Sequence, residues 1–190
     1  RADAPSGSGR LRPVTAQEPG FVRLALPREA SDIATIQYGL MADPRHPLHA
    51  LHEQTDAAQL AEVWHRSITR PPLATYRVLV ATEGRTVVGM VAVGPSEDDD
   101  ADAADGTVVD LMVTPGSRRQ GHGTRLVQAA VDTLRADGFT RATWWVPTTS
   151  DELRGWLQAM GWAPDGVHAS AEGPAGILKL VRLHTDISAP

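Results

Sequence analysis

The sequence predicts a mixed α/β domain, and three observations carry that expectation. Apolar periodicity alternates between strand-like and helix-like spacing in the order β, α, α, β, β, β, α, β, α, β, β. The run of three strands in the middle argues against a purely wound parallel sheet. The strand–helix–strand unit from Thr107 to Val146 still requires one parallel pair with a right-handed crossover. A length of 190 residues suits one domain plus a tail.

Residues 1–20, with Pro5-Ser6-Gly7-Ser8-Gly9, lack periodicity and read as a flexible tail, leaving 21–190 as a single domain. Val22–Leu26 is the first strand. Ile33, Ile36 and Leu40 share a helix face that Asp43-Pro44 ends. A second helix starts at Thr55, with Leu60, Val63, Trp64 and Ile68 on one face, and stops at Pro71-Pro72. Tyr76–Ala81 and Thr86–Val93 flank the turn Glu83-Gly84-Arg85. Thr107–Val113 is the next strand, broken by Pro115-Gly116. After Gly123, Leu126, Val127, Ala130, Val131 and Leu134 line a helix that Gly138 closes. Arg141–Val146 is a strand closed by Pro147. Thr149 and Glu152 have capping-box spacing ahead of a fourth helix bearing Leu153, Trp156, Leu157 and Met160. The strands Gly166–Ala171 and Ile177–Leu183 finish the chain.

The net charge is −5, from 18 Lys+Arg against 23 Asp+Glu. Six acids (Glu97, Asp98, Asp99, Asp100, Asp102 and Asp105) lie together without a base, and the rest holds 18 bases against 17 acids, a net of +1. A basic nucleic-acid binder is therefore not indicated. The acidic stretch reads as a solvated, mobile hairpin tip, or as a lure for a cationic substrate. There is no cysteine, which excludes disulfides, thiolate metal sites and cysteine nucleophiles and fits a reducing, cytoplasmic setting. No apolar run approaches the roughly 18 residues of a membrane span, and no signal-peptide core opens the sequence.

The chemically informative segment runs from Val108 to Leu126: a strand, a short glycine-containing loop, then an amphipathic helix. Such a junction presents unpaired N–H groups at the positive end of a helix dipole, where phosphates bind. Gly121 and Gly123 let the backbone approach an anion closely, and Arg118, Arg119 and Arg125 add positive charge. A dinucleotide fingerprint would need glycine where Leu126 stands, and a P-loop would need Gly-Lys-Ser/Thr.

The pattern Arg118-x-x-Gly121-x-Gly123 after Leu111-Met112-Val113-x-Pro115 closely resembles the acyl-CoA-binding motif of the GNAT superfamily of N-acyltransferases. The resemblance covers the element order from about Phe21 to Ile187. It implies six to seven mostly antiparallel strands with a central parallel splayed pair, flanked by four helices. It further implies that Arg118, Arg119, Gln120, Gly121, His122, Gly123 and Thr124 hold the pyrophosphate of acetyl-CoA. The main chain of Leu111, Met112 and Val113 would pair with the pantetheine arm, a form of β-augmentation. Ser150, Leu153 and Trp156 would line its other side. Dimerisation is common in the family, so a homodimer is among the implied partners. One position departs from the family pattern: Leu157 stands where a tyrosine usually protonates the departing thiolate.

Asp110, on the strand beside the thioester, is the candidate general base; the plainer reading is a strand carboxylate that binds an ammonium or caps an N–H. Strand alternation sends Leu111 and Val113 to the core and Asp110 and Met112 to the other face. Thr107 is a weaker candidate. His46, His49 and His52 recur every three residues, but without a completing acid, and with Pro47 between them, no metal site is expected. Trp144 and Trp145 point to opposite faces, one into the core and one toward the acceptor site as a cation–π wall. His122 is expected to be exposed. The expected function is acetyl transfer from acetyl-CoA to a primary amine, on a small molecule or a protein N-terminus, by direct attack in a ternary complex. No nucleic acid or membrane partner is expected. The alternatives are a non-catalytic acyl-CoA-binding module, or an interaction protein that uses its acidic segment.

Overall fold

The computed structural model describes residues 20–173 and 176–188. Apart from Gly20, the tail expected over residues 1–20 lies outside the described residues. The strands are β1 (Phe21–Leu24), β2 (Arg77–Glu83), β3 (Thr86–Pro95), β4 (Asp105–Val113), β5 (Arg141–Pro147), β6 (Ala163–Gly173) and β7 (Gly176–Asp186). The helices are α1 (Ala30–Met41), α2 (Ala57–Thr69), α3 (His122–Ala136) and α4 (Asp151–Ala159). The seven strands form one sheet in the order β1-β2-β3-β4-β5-β7-β6. Among its neighbouring pairs only β4 and β5 run parallel, as the α3 crossover requires.

Strand alternation splits the apolar residues between two faces. On one face Val91, Val93, Val108, Val146 and Leu183 pack with Leu126, Ala130 and Leu134 of α3 and Leu157 of α4. On the other, Val78, Val80, Met90 and Met112 pack with Ile33, Ile36 and Leu40 of α1. Leu111 and Val113 lie against the first cluster and Met112 within the second, matching the alternation read from sequence.

Two helix ends show why glycine followed by an aromatic recurs there. Beyond α3, Gly138 takes φ 94°, its N–H bonds the Arg135 carbonyl and the Phe139 N–H bonds Leu134. Beyond α4, Gly161 takes φ 89°, its N–H bonds Gln158 and the Trp162 N–H bonds Leu157. Both are Schellman motifs, in which a left-handed residue turns the next side chain back onto the helix. Trp162 thereby reaches the core and meets Trp144 edge-on at 6.0 Å.

Several expectations are corrected. Val63 is 56% exposed, so it does not share the inner face of Trp64 and Ile68. Ser150 caps α4 without a side-chain bond, so the Thr149/Glu152 capping box does not form; Glu152 pairs with Arg119 instead. The last two strands are longer than expected, because each pairs with the other almost to the hairpin tip.

The acidic stretch is not a freely solvated loop. The Arg182 guanidinium, on β7, bonds Asp98, Asp100 and Asp165. Arg141 bonds Asp105 and Asp165, and Glu97 accepts from the Tyr76 hydroxyl. Cations on neighbouring strands offset the repulsion among the acids, so the loop is fastened to the sheet. The Arg182 contacts hold the Asp100 carboxyl below its usual range.

Candidate active site

The site begins with a fault in the β3–β4 ladder. Asp110 pairs with Ala92, but Val108 pairs with Val93, which leaves Val109 as an extra, unpaired residue. Such a bulge bends its strand. On the other side, β4 pairs with β5 only from Asp105↔Arg141 to Val108↔Trp144. Beyond that point β4 continues to Val113 and β5 to Pro147 with no ladder between them. The two parallel strands are therefore splayed from the bulge onward, and backbone groups line the gap.

Asp110 sits at the start of the gap. It is half-buried, and no side-chain partner is found for it among the described residues. Burial pushes its carboxyl above the usual carboxylate range. Leu111 and Val113 are half-buried and Met112 is buried, so their side chains serve the two cores and their contribution to the gap is main-chain. The Val113 carbonyl already accepts a bond from Arg118 Nε at 3.3 Å. Thr107 turns its hydroxyl to the Thr143 carbonyl at 3.1 Å, within the paired part of the strands.

The loop at the far end of the gap carries two left-handed residues, Arg119 at φ 63° and Gly121 at φ 83°. A left-handed conformation is costly for arginine and easy for glycine. Alternating backbone hand of this kind turns successive N–H groups into one concavity, an anion nest. Gly121 caps α3, so the first helical N–H groups, of His122, Gly123 and Thr124, have no carbonyl one turn earlier within the helix. Gln120 braces the loop, with its amide donating to the Gly116 carbonyl at 3.1 Å. Thr124 and the side chains of Arg118 and Arg119 are exposed. Arg119 reaches Glu152 on α4.

The three residues expected on the opposite wall lie on α4 or at its cap. Trp156 is close to the nest: a β-carbon on Gly123 would lie 3.4 Å from the indole ring. Leu153 is half-buried against the main core, and Ser150 is half-buried at the α4 N-cap. Leu157 is 0% exposed within the core, so its position offers neither a proton nor a face to the gap.

Two side chains differ from expectation. His122 is 3% exposed rather than solvated; its ring turns away from the nest to Glu83, leaving only its main chain for an anion. Trp145 does face away from Trp144, but it is already engaged. Its indole N–H donates to Asp98 at 2.9 Å, and the Arg182 guanidinium lies 5.6 Å from the ring centroid. The cation on that ring is the protein's own. The histidines of the 46–52 segment also have local partners. His46 Nδ1 accepts from the Leu48 N–H, His49 bonds the Met41 carbonyl, and His52 stacks on Tyr38. Among the described residues no group of His, Asp and Glu is placed to hold a metal, and no helix is long and apolar enough to cross a membrane.

Arg182, Asp165 and Glu83 escaped the sequence reading. Arg182 had one legible sign, a charge inside the apolar run Leu180-Val181-Arg182-Leu183; the other two had none.

Residues 39–162 match the acetyltransferase (GNAT) family. No curated protein sequence matches the chain. Among solved structures, an N-acetyltransferase from Staphylococcus aureus Mu50 superposes with a TM-score of 0.70 at 14% identity, covering 90% of this chain and 100% of that one. A Salmonella typhimurium protein solved with its cofactor acetyl-CoA gives 0.69 at 15% identity, covering 91% and 96%. A ribosomal-protein-alanine N-acetyltransferase from Brucella melitensis gives 0.71 at 15% identity, covering 87% and 99%.

Proposed function

Because this chain belongs to the acetyltransferase (GNAT) family, we propose that it transfers an acetyl group from acetyl-CoA to a primary amine by direct attack in a ternary complex. One observation carries the reading: a gap lined by unpaired strand backbone runs from Asp110 to an anion nest at the N-terminus of α3. The residues fit a CoA ester at both ends. The pyrophosphate suits the N–H groups of Gly121, His122, Gly123 and Thr124, flanked by Arg118, Arg119 and Arg125, with Gln120 bracing the loop. The pantetheine amides suit the open backbone of Leu111, Met112 and Val113, with Arg118 yielding the Val113 carbonyl. Ser150, Leu153 and Trp156 border the opposite side.

When bound, the donor supplies an activated thioester carbonyl. Asp110 takes the proton that the acceptor ammonium must lose, directly or through water, before its lone pair forms the C–N bond. A carboxyl held above its usual range is a stronger base for that step. As the C–S bond breaks, the thiolate leaves without help from Leu157. The acceptor class spans small amines and protein N-termini; the likeness to a ribosomal-protein-alanine N-acetyltransferase supports keeping the latter. The cysteine-free composition accords with a cytoplasmic setting.

The second reading, a non-catalytic acyl-CoA-binding module, is favoured by the burial of Leu157. Calorimetry with acetyl-CoA tests both: micromolar affinity is expected, and no binding would sink them together. Thiol release with a panel of amines then separates them. Sustained turnover supports the enzyme, and its absence with every amine supports the module.

A further inference from the structure

A chain of three side chains fastens the anion nest to a distant hairpin. His122 Nε2 lies 2.6 Å from Glu83 Oε1, and His122 Nδ1 lies 3.0 Å from the Arg125 guanidinium. A guanidinium only donates, so Nδ1 is the acceptor and carries no proton. The ring proton therefore sits on Nε2 and is donated to Glu83. Beyond the imidazole, Arg125 also lies 3.4 Å from the Gln120 carbonyl. Its guanidinium runs directly under Gly121, where an added β-carbon would come within 3.1 Å of it. The chain thus links Glu83 at the end of β2 to the carbonyl of Gln120 within the loop.

The arrangement is closed from outside. A β-carbon on Gly20 would meet the His122 ring and the Thr82 carbonyl at 3.0 Å, so the backbone entering β1 covers the imidazole. The ring is confined, with Arg125 donating to Nδ1 on one side and Glu83 accepting from Nε2 on the other. Without Glu83, the Nε2 proton loses its acceptor, and the bond from Arg125 is left alone to hold the ring's orientation.

We propose that Glu83 is a positioning residue for the donor's pyrophosphate: acting through His122 and Arg125, it holds the Gln120–Thr124 backbone in its anion-receiving shape. The inference rests on the donor-site reading above. It concerns order present before any ligand arrives, which lowers the cost of binding.

The test uses Glu83→Ala and Glu83→Gln in the full chain. Calorimetry reads the affinity for CoA, and hydrogen exchange reads the 120–124 amides in the ligand-free protein. Steady-state kinetics compare acetyl-CoA with S-acetylpantetheine, which lacks the pyrophosphate. Glu83→Ala is expected to weaken CoA binding about tenfold, the value of one lost buried hydrogen bond. It should also speed exchange at 120–124 and leave kcat/KM for S-acetylpantetheine within about twofold. Glu83→Gln keeps a carbonyl acceptor for the Nε2 proton and should stay within about threefold of wild type. If Glu83→Ala fails to fold, Glu83→Val keeps strand propensity while removing the acceptor, and carries the same reading. Unchanged CoA affinity with unchanged exchange, or equal losses for both donors, overturns the proposal. Failure of the wild-type protein to bind CoA overturns the donor-site reading itself.

Discussion

The Arg182 guanidinium holds both carboxylate oxygens of Asp100, each at 2.6 Å, across 82 residues of sequence. This fork, with the bonds to Asp98 and Asp165, turns an acidic stretch into a fixed wall beside the parallel strands. The side chain is 3% exposed, so its charge is sustained by those acids and not by water.

Arg182→Met removes the cation shared by Asp98, Asp100 and Asp165, while Asp165 keeps its bond to Arg141. Breaking a buried ion pair from one side costs about 3–5 kcal/mol, and the exposure of Asp100 places this case near the lower end. Urea denaturation is expected to show a loss of about 3 kcal/mol. Trp145 fluorescence should change as well, because its N–H partner Asp98 is released. A midpoint indistinguishable from wild type would contradict the fastened-loop description.

Acid should act in the same place. The Arg182 contacts hold Asp100 down, and Glu29, bonded by Arg23, is also held below its usual value. Groups with depressed folded pKa contribute stability that is fully present above their unfolded values near 4 and lost as pH falls through the lower folded values. Thermal melts should therefore show no acid loss of stability from these groups above about pH 5, and a steep loss below about pH 4. Arg182→Met should flatten that acid limb; an unchanged limb would show that other carboxylates cause it.

Asp110 carries the opposite sign. Its carboxyl is raised by burial, so ionising it in the folded state destabilises the protein as pH rises from the unfolded value through the folded one. Asp110→Asn is expected to raise Tm at neutral pH while lowering kcat at least about 100-fold. CoA affinity should hardly move, since the nest lies at the other end of the gap. A variant with wild-type kcat would return Asp110 to a plain strand carboxylate.

Leu157→Ala separates packing from proton transfer. Removing a fully buried leucine costs about 2–5 kcal/mol. The folded fraction should keep kcat within about threefold, because the side chain does not reach the gap. A large fall in kcat at full folding would mean that this helix position shapes the leaving-group site.

Gly121 sits at φ 83°, where a β-carbon is strained. Gly121→Ala should cost about 1–2 kcal/mol in stability and weaken CoA binding by displacing the nest, as read by calorimetry. Gly116, where an added β-carbon meets nothing within 4 Å, is the control: Gly116→Ala should leave affinity within about twofold.

The loop motif was legible because it is local. Gly121, Gly123 and the strand before them set backbone conformations within a dozen residues, and the helix that follows supplies its own dipole. The faces of β4 were legible for the same reason, since alternation is a property of adjacent residues. The bulge at Val109 was not: an extra residue shows only when the partner strand is laid beside it.

By itself, then, the sequence determined the element order, the parallel crossover and the glycine loop that opens α3, all short-range consequences of periodicity and glycine placement. Only the tertiary structure decided the state of the charges. Asp98, Asp100 and Asp105 looked like solvated carboxylates, and Glu83 like a turn residue, because their partners Arg182, Arg141 and His122 lie 36 to 84 residues away. A charge is read by what surrounds it in space, and that neighbourhood exists only after the sheet brings β2, β5 and β7 to it.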